Sequence, residues 1–286
     1  MSTNPRHTAA ENERIADLGG YRTPDGVAVE IGALLAAARR GTVSYAPEDD
    51  VSGVVRGPFT GTVEVTAEGS MTAARRLRDS GRTAVGVLNF ASARNPGGGY
   101  LRGARAQEED LCRSALLYRC LLEAPDYYAA HRASNDLRYS HRVIFSPDVP
   151  VVRDDRGDLL ATPYPVSFLT SPAPNAGELA RRSGAAVPVR AILMERATRV
   201  LAVAARHEVR DLVLGAWGCG VFRNDPAEVA AAFEGALTCH GAAFERVVFA
   251  VWDRTPDSAN RAAFTARFAA ADAEPSSNVS PGQGGR

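Results

Sequence analysis

The chain has 286 residues, 45% hydrophobic and 23% charged, which suits one large domain or two modest ones with a real core. Its 33 basic residues, all arginine, balance 33 acidic ones, so the overall charge excludes a protein that coats duplex nucleic acid through its phosphates. No apolar run approaches the roughly 20 residues of a membrane span, and Arg6, Glu11, Glu13, Arg14 and Asp17 stand where a secretory signal needs an apolar stretch.

In chain order, apolar spacing predicts helices over Val27 to Arg40 and Met71 to Arg78, with a strand at Thr62 to Ala67 between them. TAVGVLNFA, Thr83 to Ala91, is a nearly unbroken apolar run and reads as a buried strand. Leu111, Ala115, Tyr118 and Leu122 recur at helical spacing, predicting a helix from Gln107 to Leu122. Strands follow at Arg142 to Val152, Val166 to Ser171, Asp211 to Gly218 and Arg246 to Asp253. Helices are predicted among them at Val189 to Ala205, Pro226 to Cys239 and Pro256 to Ala270.

Buried strands alternating with amphipathic helices predict an α/β fold with helices on both faces of a sheet and ligands at the carboxyl ends of the strands. There is no internal repeat. The expected organisation is an N-terminal extension over residues 1–20, a single domain over 21–272, and a disordered Pro/Ser/Gly-rich tail over 273–286.

Cys112, Cys120, Cys219 and Cys239 form no CxxC pair and no cluster with histidine, so they read as small buried hydrophobes in a reducing cytoplasm rather than zinc ligands. His7, His131, His141, His207 and His240 accompany no Ser or Cys nucleophile signature and read as surface or structural. Trp217 and the aromatic residues of Ala124 to Tyr128 and Tyr139 to Arg142 read as packing residues.

Two glycine-rich loops carry the chemistry. ARNPGGGY follows the strand that ends near Ala91, and three adjacent glycines are kept where backbone must approach something closely or turn tightly. GAWGCGVFRNDP, Gly215 to Pro226, again runs from a buried strand to a helix, whose start is marked by Asp225 as cap, Pro226 next and Glu228 three residues after the cap. Such a turn can present a nest of N–H groups to an anion. Neither loop is a P-loop, since the chain has no lysine, and neither fits the dinucleotide fingerprint. Two such loops on neighbouring strand ends can clamp a diphosphate, which leaves ADP-containing ligands open.

Glu108 and Glu109 fall in the first turn of the helix beginning at Gln107. There, acidic residues complement the helix dipole, worth about 0.3 to 1 kcal/mol each. Neighbours on a helix also point about 100° apart, so one carboxyl can address a reacting bond while the other holds the substrate. The helix N-terminus is expected to lower a carboxyl pKa, opposed by the like charge next door.

NFASARNPGGGYLRGARAQEEDL, with GGG followed after seven residues by QEE, resembles the signature of poly(ADP-ribose) glycohydrolases of the compact bacterial type, and LGAWGCGVFRNDP extends the likeness. The resemblance implies a macrodomain-like three-layer α/β/α sandwich with a mixed, mostly parallel central sheet. It also implies hydrolysis of ribose–ribose O-glycosidic bonds of poly(ADP-ribose) to release ADP-ribose from the chain end, without cofactor or metal. Glu109 becomes the catalytic acid and base, and Glu108 the ligand of the ribose hydroxyls. Gly97, Gly98 and Gly99 would lie against the diphosphate and ribose. Gly218, Cys219, Gly220 and Val221 would offer N–H groups to the phosphates, Phe222 would stack on the distal ribose, and Gln107 would support the loop. Asn89 matches the first Asn of the macrodomain NAAN, whereas Ser92 replaces the second.

The implied partners are poly(ADP-ribose) or ADP-ribose, with no duplex nucleic acid and no membrane, for a cytoplasmic monomer in the DNA damage response. Two alternatives share these residues: a mono-ADP-ribosyl hydrolase, and a macrodomain that binds ADP-ribose without catalysis.

Overall fold

The computed structural model describes residues 4–255 and 257–268. The chain starts with helix α1 (Pro5–Leu18), a two-stranded ribbon of β1 (Gly20–Arg22) and β2 (Ala28–Glu30), then α2 (Gly32–Arg40) and β3 (Val43–Tyr45). It continues through β4 (Thr62–Thr66), α3 (Ser70–Asp79), β5 (Val85–Phe90), α4 (Gln107–Ser114), α5 (Leu117–Leu121) and α6 (Pro125–Ala133). The long strands β6 (Val143–Arg153) and β7 (Leu159–Ser171) form a hairpin, followed by α7 (Ala176–Ser183), α8 (Arg190–Arg206), β8 (Asp211–Leu214), α9 (Pro226–His240), β9 (Arg246–Ala250) and α10 (Ala259–Phe268).

Seven strands make one sheet in the order β3-β6-β7-β5-β8-β9-β4. The β3-β6-β7 edge is antiparallel and the remaining pairings are parallel. Strand alternation sorts the core into two halves. Val85, Val87, Val213 and Val248 face one cluster with α1 to α6, while Leu88, Leu212, Leu214, Val247 and Phe249 face another with α8, α9 and α10. The result is three layers, α/β/α. Asn89 lies in register with Val85 and Val87 and so turns its side chain toward the α4 layer.

Several elements differ from the sequence expectation. The helix expected over Val27 to Arg40 begins only at Gly32, because Ala28–Glu30 pairs with β1 and the amide of Gly32 is taken by the Gly19 carbonyl at 2.8 Å. The helix expected over Gln107 to Leu122 breaks at Ala115, which is extended (φ −118°, ψ 160°). There the chain bridges to Val151 and Leu116 N donates to the Pro150 carbonyl at 3.1 Å, filling the part of β6 that β3 is too short to cover.

β7 starts seven residues before the expected strand at Val166, through Pro163 and Pro165. Of the helix expected over Pro256 to Ala270, α10 begins at Ala259 behind Ser258, whose hydroxyl accepts from Arg261 N, and positions 269 and 270 lie outside the described residues. Cys112 and Cys120 are buried, whereas Cys219 is half-buried and Cys239 exposed.

Most of the stretch expected as an N-terminal extension forms α1, which packs on the layer holding α4. Asn12, fully buried, donates to the carbonyls of Cys112 and Arg113 at the end of α4 and accepts from Arg153 Nε. The tail over 273–286 lies outside the described residues. Among the described residues no helix is long and apolar enough to cross a membrane.

Candidate active site

The parallel strands β4, β5, β8 and β9 end at a common edge, and there an open cavity of about 920 Å³ is lined by residues that follow each of them. Residues 69–72 come from the start of α3, 90–92 from the end of β5, 216–222 in part from the loop after β8, and 250–252 from the end of β9. The first turns of two helices, α3 and α4, open onto it, each with N-terminal amides that favour negative charge.

Glu108 and Glu109 both line the cavity, yet each is buried, at 3% and 7% exposure. Surface decoration of a helix end would leave them in water. Their carboxyls diverge as the helix turn requires. Glu108 reaches the end of β5, where Oε2 accepts from Ser92 N at 2.7 Å and Oε1 from Asn89 Nδ2 at 3.3 Å. Glu109 turns to the glycine loop, where Oε1 accepts from Gly99 N at 2.7 Å and Oε2 from Ala106 N at 3.0 Å.

The protonation of Glu108 departs from the helix-dipole expectation. Burial pushes its carboxyl up to about 8, the adjacent Glu109 charge adds to this, and the hydrogen bonds from Ser92 and Asn89 only partly oppose it. Near neutral pH Glu108 therefore holds a proton.

The three glycines explain how two carboxyls fit there. Gly97 and Gly98 sit at φ +62° and +58°, and a Cβ on Gly98 would fall 2.5 Å from Glu109 Oε1 and 3.1 Å from Glu108 Oε2. A Cβ on Gly99 would lie 2.6 Å from that of Ala104. The bare backbone of GGG thus packs against the glutamates, with Gly97 buried and Gly98 and Gly99 half-buried.

Gln107 ties the foot of α4 to the sheet. Its Oε1 accepts from Phe90 N at 2.9 Å, and its Nε2 donates to the Leu88 carbonyl at 2.8 Å and to Ser70 Oγ at 3.1 Å. Asn89 is fully buried behind Glu108 and also donates to Thr170 Oγ1 at 3.1 Å. The Ser92 hydroxyl accepts from Asn95 N within the loop, so what Ser92 offers Glu108 is its main-chain N–H.

The second loop brings Gly218, Gly220, Val221 and Phe222 to the cavity wall, but not Cys219. Cys219 N donates to the Ala216 carbonyl at 3.1 Å, and burial pushes its thiol up to about 12, which leaves no thiolate at neutral pH. Among the described residues, Val221 N and Phe222 N donate to no protein acceptor. Trp217 is buried and its indole N–H donates to the Ser171 carbonyl, so it packs behind the loop. Tyr127 and Tyr128 are core residues, and no histidine among the described residues lines the cavity.

Sequence reasoning missed several lining residues. Trp252, 63% exposed just beyond β9, stands at the cavity wall with Phe90. A tryptophan at the polar end of an apolar strand run was the available signal. Ser70 at the uncapped start of α3, and Pro5 and Thr8 of α1, carried no local mark.

The sequence matches the family model for the microbial-type PARG catalytic domain over residues 9–154. No curated protein matches the chain. Among solved structures it is similar to poly(ADP-ribose) glycohydrolase from Thermomonospora curvata bound to the inhibitor ADP-HPD, at 47% identity and TM-score 0.84, covering 92% of this chain and 99% of that one. It is also similar to poly(ADP-ribose) glycohydrolase from Deinococcus radiodurans in complex with ADP-ribose, at 50% identity and TM-score 0.76, covering 84% and 98%. Matched over nearly the whole length of both enzymes, the chain belongs to the microbial-type poly(ADP-ribose) glycohydrolase family.

Proposed function

We propose that the protein hydrolyses the ribose–ribose O-glycosidic bond of poly(ADP-ribose), releasing ADP-ribose, with Glu109 as the single acid and base. The observation that carries this assignment is the pair of buried, divergent carboxyls at the foot of α4 in the wall of a cavity built on parallel strand ends. Each Glu109 oxygen accepts one main-chain N–H and keeps a second lone pair, so the group can carry a proton and hold a charge in the same position.

Once the anionic diphosphate is bound beside it, Glu109 takes up a proton and donates it to the leaving ribose oxygen while positive charge grows on the anomeric carbon. The ionised carboxylate, steadied by the amides of Gly99 and Ala106, then takes a proton from the attacking water. One carboxyl acts twice, unlike the opposed pair of most glycosidases. Glu108, protonated, addresses the ribose hydroxyls and withholds a second negative charge from a cavity that must admit a diphosphate.

The open amides of Val221 and Phe222, with the bare backbone of Gly218 and Gly220, face the phosphates, and the Phe222 ring packs on the distal ribose. Gly97 to Gly99 and Gln107 hold the two glutamates in place, and Asn89 orients Glu108. Trp252 offers its face to the base. A phenyl ring over the terminal ribose favours cleavage from the chain end.

Product analysis on purified polymer tests the reading. The wild type releases free ADP-ribose from polymer, and Glu109→Gln retains ADP-ribose binding without turnover. Release of intact single units from modified protein, with polymer untouched, would point instead to a mono-ADP-ribosyl hydrolase.

A further inference from the structure

Arg196, on α8, is fully buried and forms no ion pair among the described residues. Burial pulls its guanidinium down to about 10, so it remains charged at neutral pH. Its two terminal nitrogens donate to three main-chain carbonyls, those of Pro172 at 2.6 Å, Arg138 at 2.7 Å and Tyr139 at 3.0 Å. A charge with no counterion is a costly filler for a core. What it supplies is a rigid fork that no apolar side chain can replace.

The carbonyls belong to two irregular segments, one ahead of β6 and one just after β7. Asn175 N donates to the Leu137 carbonyl at 2.9 Å and laces the two together. The second segment in turn grips the loop after β8, because Gly177 N donates to the Phe222 carbonyl at 2.9 Å and Asn224 Nδ2 to the Pro174 carbonyl at 2.9 Å.

Tyr139 completes the chain of contacts. It sits at φ +57°, a conformation few non-glycine residues adopt, with its carbonyl held by Arg196. Its ring lies 6.1 Å from that of Phe222. Phe222 lines the cavity, and the Tyr139 ring stands against it at a tilt of 41°.

We propose that Arg196 and Tyr139 are positioning residues that fix the cavity-facing ring of Phe222 and thereby set how tightly the enzyme holds the ribose end of ADP-ribose. The proposal rests on the reading of the 218–222 loop as the ligand-holding loop.

Amide hydrogen exchange over 218–224, ADP-ribose affinity and polymer kinetics of Tyr139→Leu and Arg196→Lys test it. Loop amides should exchange about tenfold faster or more. Kd and KM should rise about 5- to 20-fold while kcat changes less than about threefold. Lysine should not rescue, since a single ammonium lacks the planar fork. In a Phe222→Ala background Tyr139→Leu should add nothing further to Kd.

Should Arg196→Lys fail to fold, Tyr139→Leu, whose ring is only half-buried, carries the test. Wild-type exchange in Tyr139→Leu overturns the positioning role. Faster exchange with wild-type affinity overturns instead the reading of the loop on which the proposal rests.

Discussion

The two glycine-rich loops stand on adjacent parallel strands, yet Gly98 of the first and Gly220 of the second use bare backbone in opposite ways. In the first, the space left by the missing side chains of Gly97 to Gly99 is filled by two carboxyls, the ring of Tyr118, the Cys112 thiol and the Ala104 methyl. In the second, Gly220 has nothing within 4 Å of where a Cβ would stand, and Val221 is 85% exposed. The first loop shapes the reacting groups, and the tip of the second, at Gly220 and Val221, leaves an unobstructed surface for a ligand. Glycine is therefore required at Gly97 to Gly99 by what the protein already contains, as it is at Gly215 and Gly218, where a Cβ would fall 2.6 Å from the Ala250 carbonyl oxygen and 2.5 Å from the Cβ of Ala173, whereas Gly220 is bare toward what the loop has to receive.

The sharpest break in that comparison is Glu109→Gln. The amide keeps the size of the carboxyl and removes its titrating proton. General acid–base catalysis of this kind contributes typically about 10² to 10⁴-fold, and kcat on polymer is expected to fall by that much or more. Calorimetry should still find ADP-ribose binding, because the second loop is untouched. A variant that turns over polymer within about threefold of wild type would remove Glu109 from the chemistry.

Gly98→Ala comes next. The residue lies at φ +58°, and its new methyl would stand 2.5 Å from Glu109 Oε1. Strain at such a position costs on the order of 1 to 3 kcal/mol, and displacing the carboxyl should lower kcat by about 10- to 100-fold. Chemical denaturation and steady-state kinetics on one preparation read both losses. A fully active, fully stable alanine variant would mean that the GGG packing does not hold Glu109.

These pairings also show what can be read from a sequence. Both glycine loops, the start of α4 and the central strands declare themselves locally, through strand runs, caps and spacing. Helix α1 does not. Its buried residues are Thr8, Ala9, Asn12 and Ile15, and a helix whose inward face is half polar shows little periodicity. Asn12 is there to satisfy the last carbonyls of α4, a need visible only once α4 is known to stop at Ser114. That stop is itself a tertiary event, set by the pairing of Ala115 with β6. The early half of β7 was hidden by two prolines, which ordinarily argue against a strand. In the candidate site, the divergence of the two glutamates follows from helix geometry alone. The raised protonation of Glu108 does not, because it depends on burial contributed by β5, the loop at Ser92 and the neighbouring glutamate.

Glu108 yields a pH-dependent prediction. Its folded pKa of about 8 lies above the ordinary carboxyl value of 4.5, so the folded protein retains a proton that the unfolded chain releases between those limits. The stabilisation this gives is complete below the unfolded pKa and is lost as pH rises through the folded one. The slope is at most about 1.4 kcal/mol per pH unit from this group. Glu108→Gln removes that slope, so its Tm relative to wild type should climb from pH 5 to pH 8 and then level. Above pH 8 ionised Glu108 also repels a diphosphate, so wild-type affinity for ADP-ribose should fall while that of the variant stays flatter. A Tm difference that does not vary with pH would show that Glu108 is not buried with its proton.

The smallest expected effect makes the contrast between the loops quantitative. Gly220→Ala adds the same methyl as Gly98→Ala, on the other glycine-rich loop, one strand away. No protein atom opposes it, and Gly220 is absent from the glycines at positive φ, so alanine meets neither a clash nor a forbidden conformation. Stability should stay within about 0.5 kcal/mol of wild type. What the methyl can meet is the ligand, since Gly220 lines the cavity beside the open amides of Val221 and Phe222. The expected signature is a rise in ADP-ribose Kd without a change in Tm, the reverse weighting of Gly98→Ala. Unaltered stability with unaltered Kd would mean that no phosphate comes close to this backbone, and the division of labour between the loops would fail at its second half.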